Sequence, residues 1–175
     1  VTGAQVFKAP FAAQWESYYA PTIVDGTVYI NGGYYGGMYA FDAFSGAQRW
    51  FHGLPQYDEW TPAVDDDFAY AYVGGSLYAL NRRTGASAFS IPDPRFDWNG
   101  WSMQLAPVQG SHDDVLAIHN GRLLSFDIPG RSIRYELSSG FVGQPTVADD
   151  TVHAIQHGAP VALHPAPRTL TPSRP

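Results

Sequence analysis

The residues that could do chemistry in this chain are few, and their spacing argues against most reactions. His153 and His157 stand four apart and would converge on a metal only on a helix; the run Thr151 to Gln156 alternates as a strand does, so they form no metal pair. Asp25, Asp65-Asp66-Asp67, Asp113-Asp114 and Asp149-Asp150 offer the hard oxygen ligands that Ca²⁺ takes, but no spacing among them resembles an EF-hand loop. Each group falls where the chain is expected to reverse, and there a carboxylate accepts hydrogen bonds from its own turn. Ser45, Ser102 and Ser125 have no adjacent His and no nucleophile-elbow context. With 0 cysteines there is no thiol nucleophile, thiolate metal site or disulfide framework. No catalytic residue and no metal ligand is expected.

Binding chemistry is better supplied. Aromatic residues make up 15% of the chain, and many fall in segments that no regular strand needs. Between Ile91 and Leu105 lie Arg95, Phe96, Asp97, Trp98 and Trp101; elsewhere Tyr34, Tyr35, Tyr57 and Trp60 flank glycine turns or connectors. Large rings with polar tips lose little rotamer entropy when they bind, so such a set could hold a peptide, a glycan or a planar cofactor. The competing reading is that these rings pack inside. Trp98 and Trp101 are the best exceptions to it, because they sit in an insertion outside the repeating framework, where function collects.

The elements that must position these residues form a repeating unit. Pro21 to Trp50 reads as four short strands, Thr22 to Val24, Thr27 to Asn31, Met38 to Asp42 and Ala47 to Phe51. Asp25-Gly26 predicts a two-residue hairpin, Gly32-Gly33 with Gly36-Gly37 a second reversal, and Asp42 to Gly46 a third. The unit recurs at Pro62, Pro107 and Pro145, a period near forty residues. Eight residues beyond Asp42, Asn81 and Asp127 stand Trp50, Phe89 and Tyr135, so one aromatic closes each of three repeats; Gly46 and Gly85 precede two of them by four positions. A four-stranded antiparallel unit at this period predicts an all-β fold, a β-propeller with blades over residues 21–51, 61–91, 105–137 and 144–164. Thr2 to Phe7 repeats the Gly-x3-aromatic spacing and predicts a spare fourth strand over residues 4–8. The last repeat lacks its own closing strand, since Pro165, Pro167, Pro172 and Pro175 form a proline-rich tail that cannot feed a ladder.

Composition sets the outer limits. A hydrophobic fraction of 45% with 15% charged residues supplies a core and excludes disorder. The net charge of −6 excludes a nucleic-acid partner, since no basic run exists to neutralise phosphates. No run approaches the roughly 18 apolar residues of a spanning helix. The chain opens at Val1 inside a repeat, which predicts a portion of a longer protein.

Gly26-Thr27-Val28-Tyr29-Ile30, Met38-Tyr39-Ala40-Phe41-Asp42-Ala43, Ser45-Gly46 and Trp50 resemble the repeat of the PQQ-like β-propellers, a family that includes quinoprotein alcohol dehydrogenases and a non-catalytic outer-membrane-assembly lipoprotein. The resemblance implies a ring of seven or eight blades, of which four repeats are about half. It implies that Trp50 docks against the neighbouring blade, with Phe89 and Tyr135 as departures from the motif. It also frames the functions. The first is a non-catalytic binding or assembly scaffold in the bacterial envelope or extracellular space, holding a protein or glycan on the aromatic rim, with no cofactor and with the remaining blades of a larger propeller as neighbours. The second is a fragment of a PQQ-dependent dehydrogenase, which by resemblance would use an adjacent cysteine pair, the quinone PQQ and Ca²⁺. The third is a sensor domain fused to another effector.

Overall fold

A computed structural model describes residues 3–12, 20–33, 35–56, 60–98 and 107–164. Among them every regular element is a strand. β1 (Thr22–Val24), β2 (Thr27–Asn31), β3 (Met38–Asp42) and β4 (Gln48–His52) form one antiparallel sheet in sequence order. β5 (Ala63–Val64), β6 (Phe68–Val73), β7 (Ser76–Asn81) and β8 (Ser87–Pro92) form a second of the same topology. β9 (Val108–Gln109), β10 (Asp114–His119), β11 (Gly121–Asp127), β12 (Ser132–Ala148), β13 (Thr151–Gln156) and β14 (Ala159–Leu163) form a third sheet of 6 strands.

Turn chemistry sets the registers. Asp25 and Gly26 both have positive φ, 46° and 68°, as the two-residue β1–β2 hairpin requires. At the third reversal Asp42 Oδ1 accepts hydrogen bonds from the Phe44 and Ser45 amides and from Ser45 Oγ; Asn81 Oδ1 does the same for Arg83, Thr84 and Thr84 Oγ1. Equivalent pairs across the third and fourth strands follow: Ala40 opposite Trp50, Ala79 opposite Phe89, Ser125 opposite Tyr135.

Alternation within each strand sends side chains to the two neighbouring sheets in turn. Ala69, Ala71, Val73 and Leu80 meet Tyr29, Met38, Ala40 and Trp50 of the first sheet. Their neighbours Tyr70, Tyr72, Leu77 and Ala79 meet Val115, Ala117, Leu124 and Phe126 of the third. Leu116, Ile118 and Leu123 then pack on Val152 and Ala154 of the fourth repeat. Between the first two sheets small residues, Ala69 and Ala71, face the rings of Tyr29 and Trp50.

Two expectations are corrected. The third and fourth repeats do not form separate sheets: β12 continues through both, pairing β11 up to Phe141 and β13 from Phe141 onward. Gly140 and Gly143, at φ 67° and 77°, let the strand bend there, and Phe141 is 1% exposed at the hinge. Residues 4–8 are not a strand: they join no ladder among the described residues. They instead lead to Phe7, which covers Gly46, and to Phe11, which packs on Tyr39 and Phe41.

Candidate functional site

The rim that carries the second turns is organised by a buried charge. Asp93, 4% exposed, opens the connector after β8, its amide donating to Gly75 O. Its carboxylate takes both arms of Arg122 at 3.1 and 2.6 Å, the Tyr72 hydroxyl at 2.6 Å and the Arg95 amide at 3.0 Å. Burial alone would push the Asp93 carboxyl up, but these donors outweigh it and hold it below the usual carboxylate range. Arg122 is held further into its charged form by Asp93, and burial beside that carboxylate pushes the Tyr72 hydroxyl far up. Glu136 adds a second anion, 3.4 Å from Arg122 and 2.5 Å from Arg95.

The connector is clamped a second time by Phe96. Its ring stacks on His119 at 4.5 Å and 15° and lies against Gly75, where any Cβ would sit 3.0 Å from it. His119 Nε2 lies 3.1 Å from Asp97 O, which also accepts from Asn120 Nδ2 at 3.0 Å. Burial lowers the His119 pKa, disfavouring the charged ring. The chain thus reaches Trp98 on a rigid footing, with Trp98 52% exposed and the Arg95 side chain 63% exposed.

Of the expected surface residues, Arg95, Phe96 and Trp98 lie on this connector, Arg95 and Trp98 exposed and Phe96 half-buried against His119. Tyr35 is exposed, at 53%, on the second turn of the first sheet. Trp60 is interior, 1% exposed in the core between the first two sheets, and is withdrawn from the candidate surface. Tyr34, Tyr57 and Trp101 lie outside the described residues. Asp93, Arg122, His119 and Glu136 were not singled out from sequence. The available signal was the charged interruption of an apolar hairpin at His119 and Arg122.

The docking residues are resolved in full. Trp50 lies over Gly85, where a Cβ would come within 2.7 Å of the indole, and its Nε1 donates to Arg82 O at 3.0 Å. Tyr29 donates to the same carbonyl at 3.2 Å. Phe89 meets Arg131 instead, the guanidinium 4.9 Å above its ring. Arg131 occupies the slot of Gly46 and Gly85 and takes their left-handed conformation at φ 50°. Tyr135 packs against the core between the third and fourth repeats.

Antiparallel four-stranded units that stack face to face through a Gly-x3-aromatic contact define a protein of the PQQ-like propeller class. The chain belongs to the family described as outer membrane protein assembly factor BamB, whose profile matches residues 1–166. Among solved structures it is similar to BamB from Moraxella catarrhalis, with 19% identity and a TM-score of 0.61 over 79% of this chain and 42% of that one. The computationally designed Ika8 protein matches with a TM-score of 0.62 and 13% identity, over 85% of this chain and 46% of that one. The quinohemoprotein alcohol dehydrogenase of Comamonas testosteroni matches with a TM-score of 0.56 and 17% identity, over 69% of this chain and 20% of that one. The chain therefore spans less than half the length of each of these proteins, and at such identities they share its fold. No curated protein matches the sequence.

The dehydrogenase likeness raises PQQ and Ca²⁺. Among the described residues no three His, Cys, Asp or Glu side chains converge to hold an ion, and Asp93, the most buried carboxylate of the rim, has its oxygens taken by Arg122, Tyr72 and the Arg95 amide. These residues do not fit that group.

Proposed function

We propose that this chain is a non-catalytic binding or assembly module of the bacterial envelope, and that its partner, a protein segment or glycan, docks on the rim formed by Arg95, Phe96 and Trp98. The observation that carries this reading is the connector itself. Residues 93–98 add nothing to any ladder beyond the Asp93 amide, yet a buried ion pair, a stacked imidazole, the Phe96 amide on Asp93 O and two side chains on Asp97 O fix them. Rigidity spent on a short connector that carries an exposed indole and an exposed guanidinium three residues apart in sequence is what a pre-organised anchor needs, because the ordering entropy is lost before the partner arrives. The family description, an outer-membrane assembly factor, supports the envelope setting and a protein partner.

The test is a selection of displayed peptides and a glycan array on the intact chain, followed by titration of the hits against Trp98→Ala. The variant is expected to weaken binding at least about tenfold, the range of an interfacial aromatic anchor, while its melting temperature stays within about 2 °C of the parent. Hits that bind the variant equally well would place the partner elsewhere. Alcohol turnover after addition of PQQ with Ca²⁺ would overturn the non-catalytic reading itself.

A further inference from the structure

The fourth strands of the first three repeats are guarded unequally. An edge strand shows unpaired amides and carbonyls, and proteins blunt it with charged side chains, bulges or proline. All three have a bulge near their start, opposite the steps Ala40 to Phe41, Ala79 to Leu80 and Ser125 to Phe126. β4 also carries Arg49, and the stretch of β12 that pairs with β11 carries Arg134 and Glu136. β8 carries no charge, and no residue from Thr84 to Pro92 does. Ser87, Ala88 and Ser90 are exposed, and among the described residues β8 pairs only with β7.

Alternation decides which groups point outward. The Asp93 amide donates to Gly75 O, so residues 91 and 89 bond to β7 as well, and Ser90 turns its amide and carbonyl away from that ladder. Pro92, in the next outward position, has no amide to offer and ends the open stretch. The second sheet is covered on both faces, so a further repeat would stack elsewhere and leave this edge as it is.

Charge marks one end of the edge. Arg49, Arg82, Arg95, Arg122 and Arg134 are each held by a carboxylate. Arg83 and Arg131 are exposed and, among the described residues, meet no acid. Arg83 stands in the turn that opens β8, and the Arg131 guanidinium lies 4.9 Å above the Phe89 ring. In a chain of net charge −6, two guanidiniums without an acid thus share the Ser87 end of an uncharged strand.

We propose that the edge of β8 takes an extended segment of another protein as an added antiparallel strand, and that this segment carries acidic side chains at its C-terminal end, where Arg83 and Arg131 receive them. Antiparallel pairing is the more stable ladder and sets the C-terminal end of the incoming strand beside the start of β8. Main-chain hydrogen bonds at Ser90 supply the attachment, and the two guanidiniums fix its direction. A second copy of this chain fits worse: a two-fold pair of β8 strands would set the Arg83 end of one against the Arg95 end of the other, cation against cation. The surface is separate from the rim of Trp98 and does not depend on it.

The test uses the intact chain, isotope-labelled, and a blocked peptide of alternating valine and threonine with a pair of aspartates at its C-terminal end, titrated to about 1 mM. The Ser90 amide is expected to exchange at least about tenfold more slowly with the peptide bound, while the Ile91 amide, already bonded to β7, stays as it was. Ser90→Pro removes the outward donor at a position where an edge tolerates proline, and is expected to abolish binding with the melting temperature kept within about 3 °C. Arg83→Glu, which touches no ladder, is expected to weaken binding about threefold, and a peptide with its aspartates at the N-terminal end to bind the parent as weakly. A Ser90 amide that the peptide does not protect overturns the proposal, and so does undiminished binding to Arg83→Glu or by the peptide with its aspartates moved. A Ser90 amide already slow in the free chain means that the edge is covered by the chain itself or by a second copy, and overturns it too.

Discussion

At the scale of single residues, the docking of one repeat on the next depends on a missing Cβ. Gly85 combines φ 72° with a Trp50 ring 2.7 Å from the site of any Cβ, so Gly85→Ala adds backbone strain to a clash inside a packed interface. It is expected to cost roughly 2–4 kcal/mol, the sum of a left-handed non-glycine residue and an overpacked contact. Gly53→Ala is the control, with nothing within 4 Å, and should stay within about 0.5 kcal/mol in urea melts. The resemblance to the propeller repeat implied that Trp50 docks on the neighbouring repeat, and its ring lies there over Gly85. The partner of Phe89 was not legible, because Pro129-Gly130 puts the visible glycine one place early and Arg131 fills the left-handed slot itself. A cation over the ring there replaces the close approach that glycine allows, a substitution between unlike interactions that residue type alone does not announce. The Asp93–Arg122 pair was equally hidden, since an ion pair buried between repeats leaves no periodic trace. Asp93→Asn keeps the shape but strands the guanidinium, and is expected to cost about 3 kcal/mol. Because the folded Asp93 carboxyl is held below its unfolded value near 4, its contribution is complete above that pH and is lost as the pH falls below it. Urea midpoints measured between about pH 5 and about pH 2, a range that brackets an ordinary carboxylate, should therefore fall less steeply for Asp93→Asn than for the parent.

At the scale of elements, strands were readable wherever a turn residue with positive φ separates them, as Asp25-Gly26 and Gly85 do. The passage from the third repeat to the fourth was not, because the break expected near Ser138 to Pro145 needs the chain to leave one sheet before entering the next. Gly140 and Gly143 instead bend a strand that keeps pairing, and Phe141 bridges Gly121 on one side and Gln156 on the other. The connector after β8 is the other element whose form the sequence left open. Its insertion marked it as functional, but its rigidity comes from Phe96 on His119, a contact between residues 23 apart. That contact makes the connector sensitive to acid. Burial depresses the folded His119 pKa below its usual 6.5, so the unfolded chain binds the proton more readily and the stabilisation, full above 6.5, is lost as the pH falls through the lower folded value. Amide exchange at residues 95–98, corrected for intrinsic rates, should accelerate between pH 7.5 and about 5 in the parent and stay flat in His119→Phe, which keeps the stack without the titration. Equal acceleration in both would show that His119 does not govern the connector.

At the scale of the whole molecule, stability is shared between neighbours rather than held in one centre. Each sheet buries its faces only against the sheets beside it, so the array behaves as a short one-dimensional stack whose members differ in how many faces are covered. The second sheet is covered on both: Ala69, Ala71 and Val73 against the first, Tyr70 and Tyr72 against the third, all at 0% exposure. The last repeat is covered on one, its forward face open at His153 and Ile155. Local opening should follow that asymmetry, with β6 and β7 exchanging only through global unfolding and β13 and β14 through a smaller excursion that leaves the first two sheets intact. Native-state exchange at low urea is expected to resolve the two groups by at least about 2 kcal/mol, the contribution of one uncovered apolar face of a few side chains.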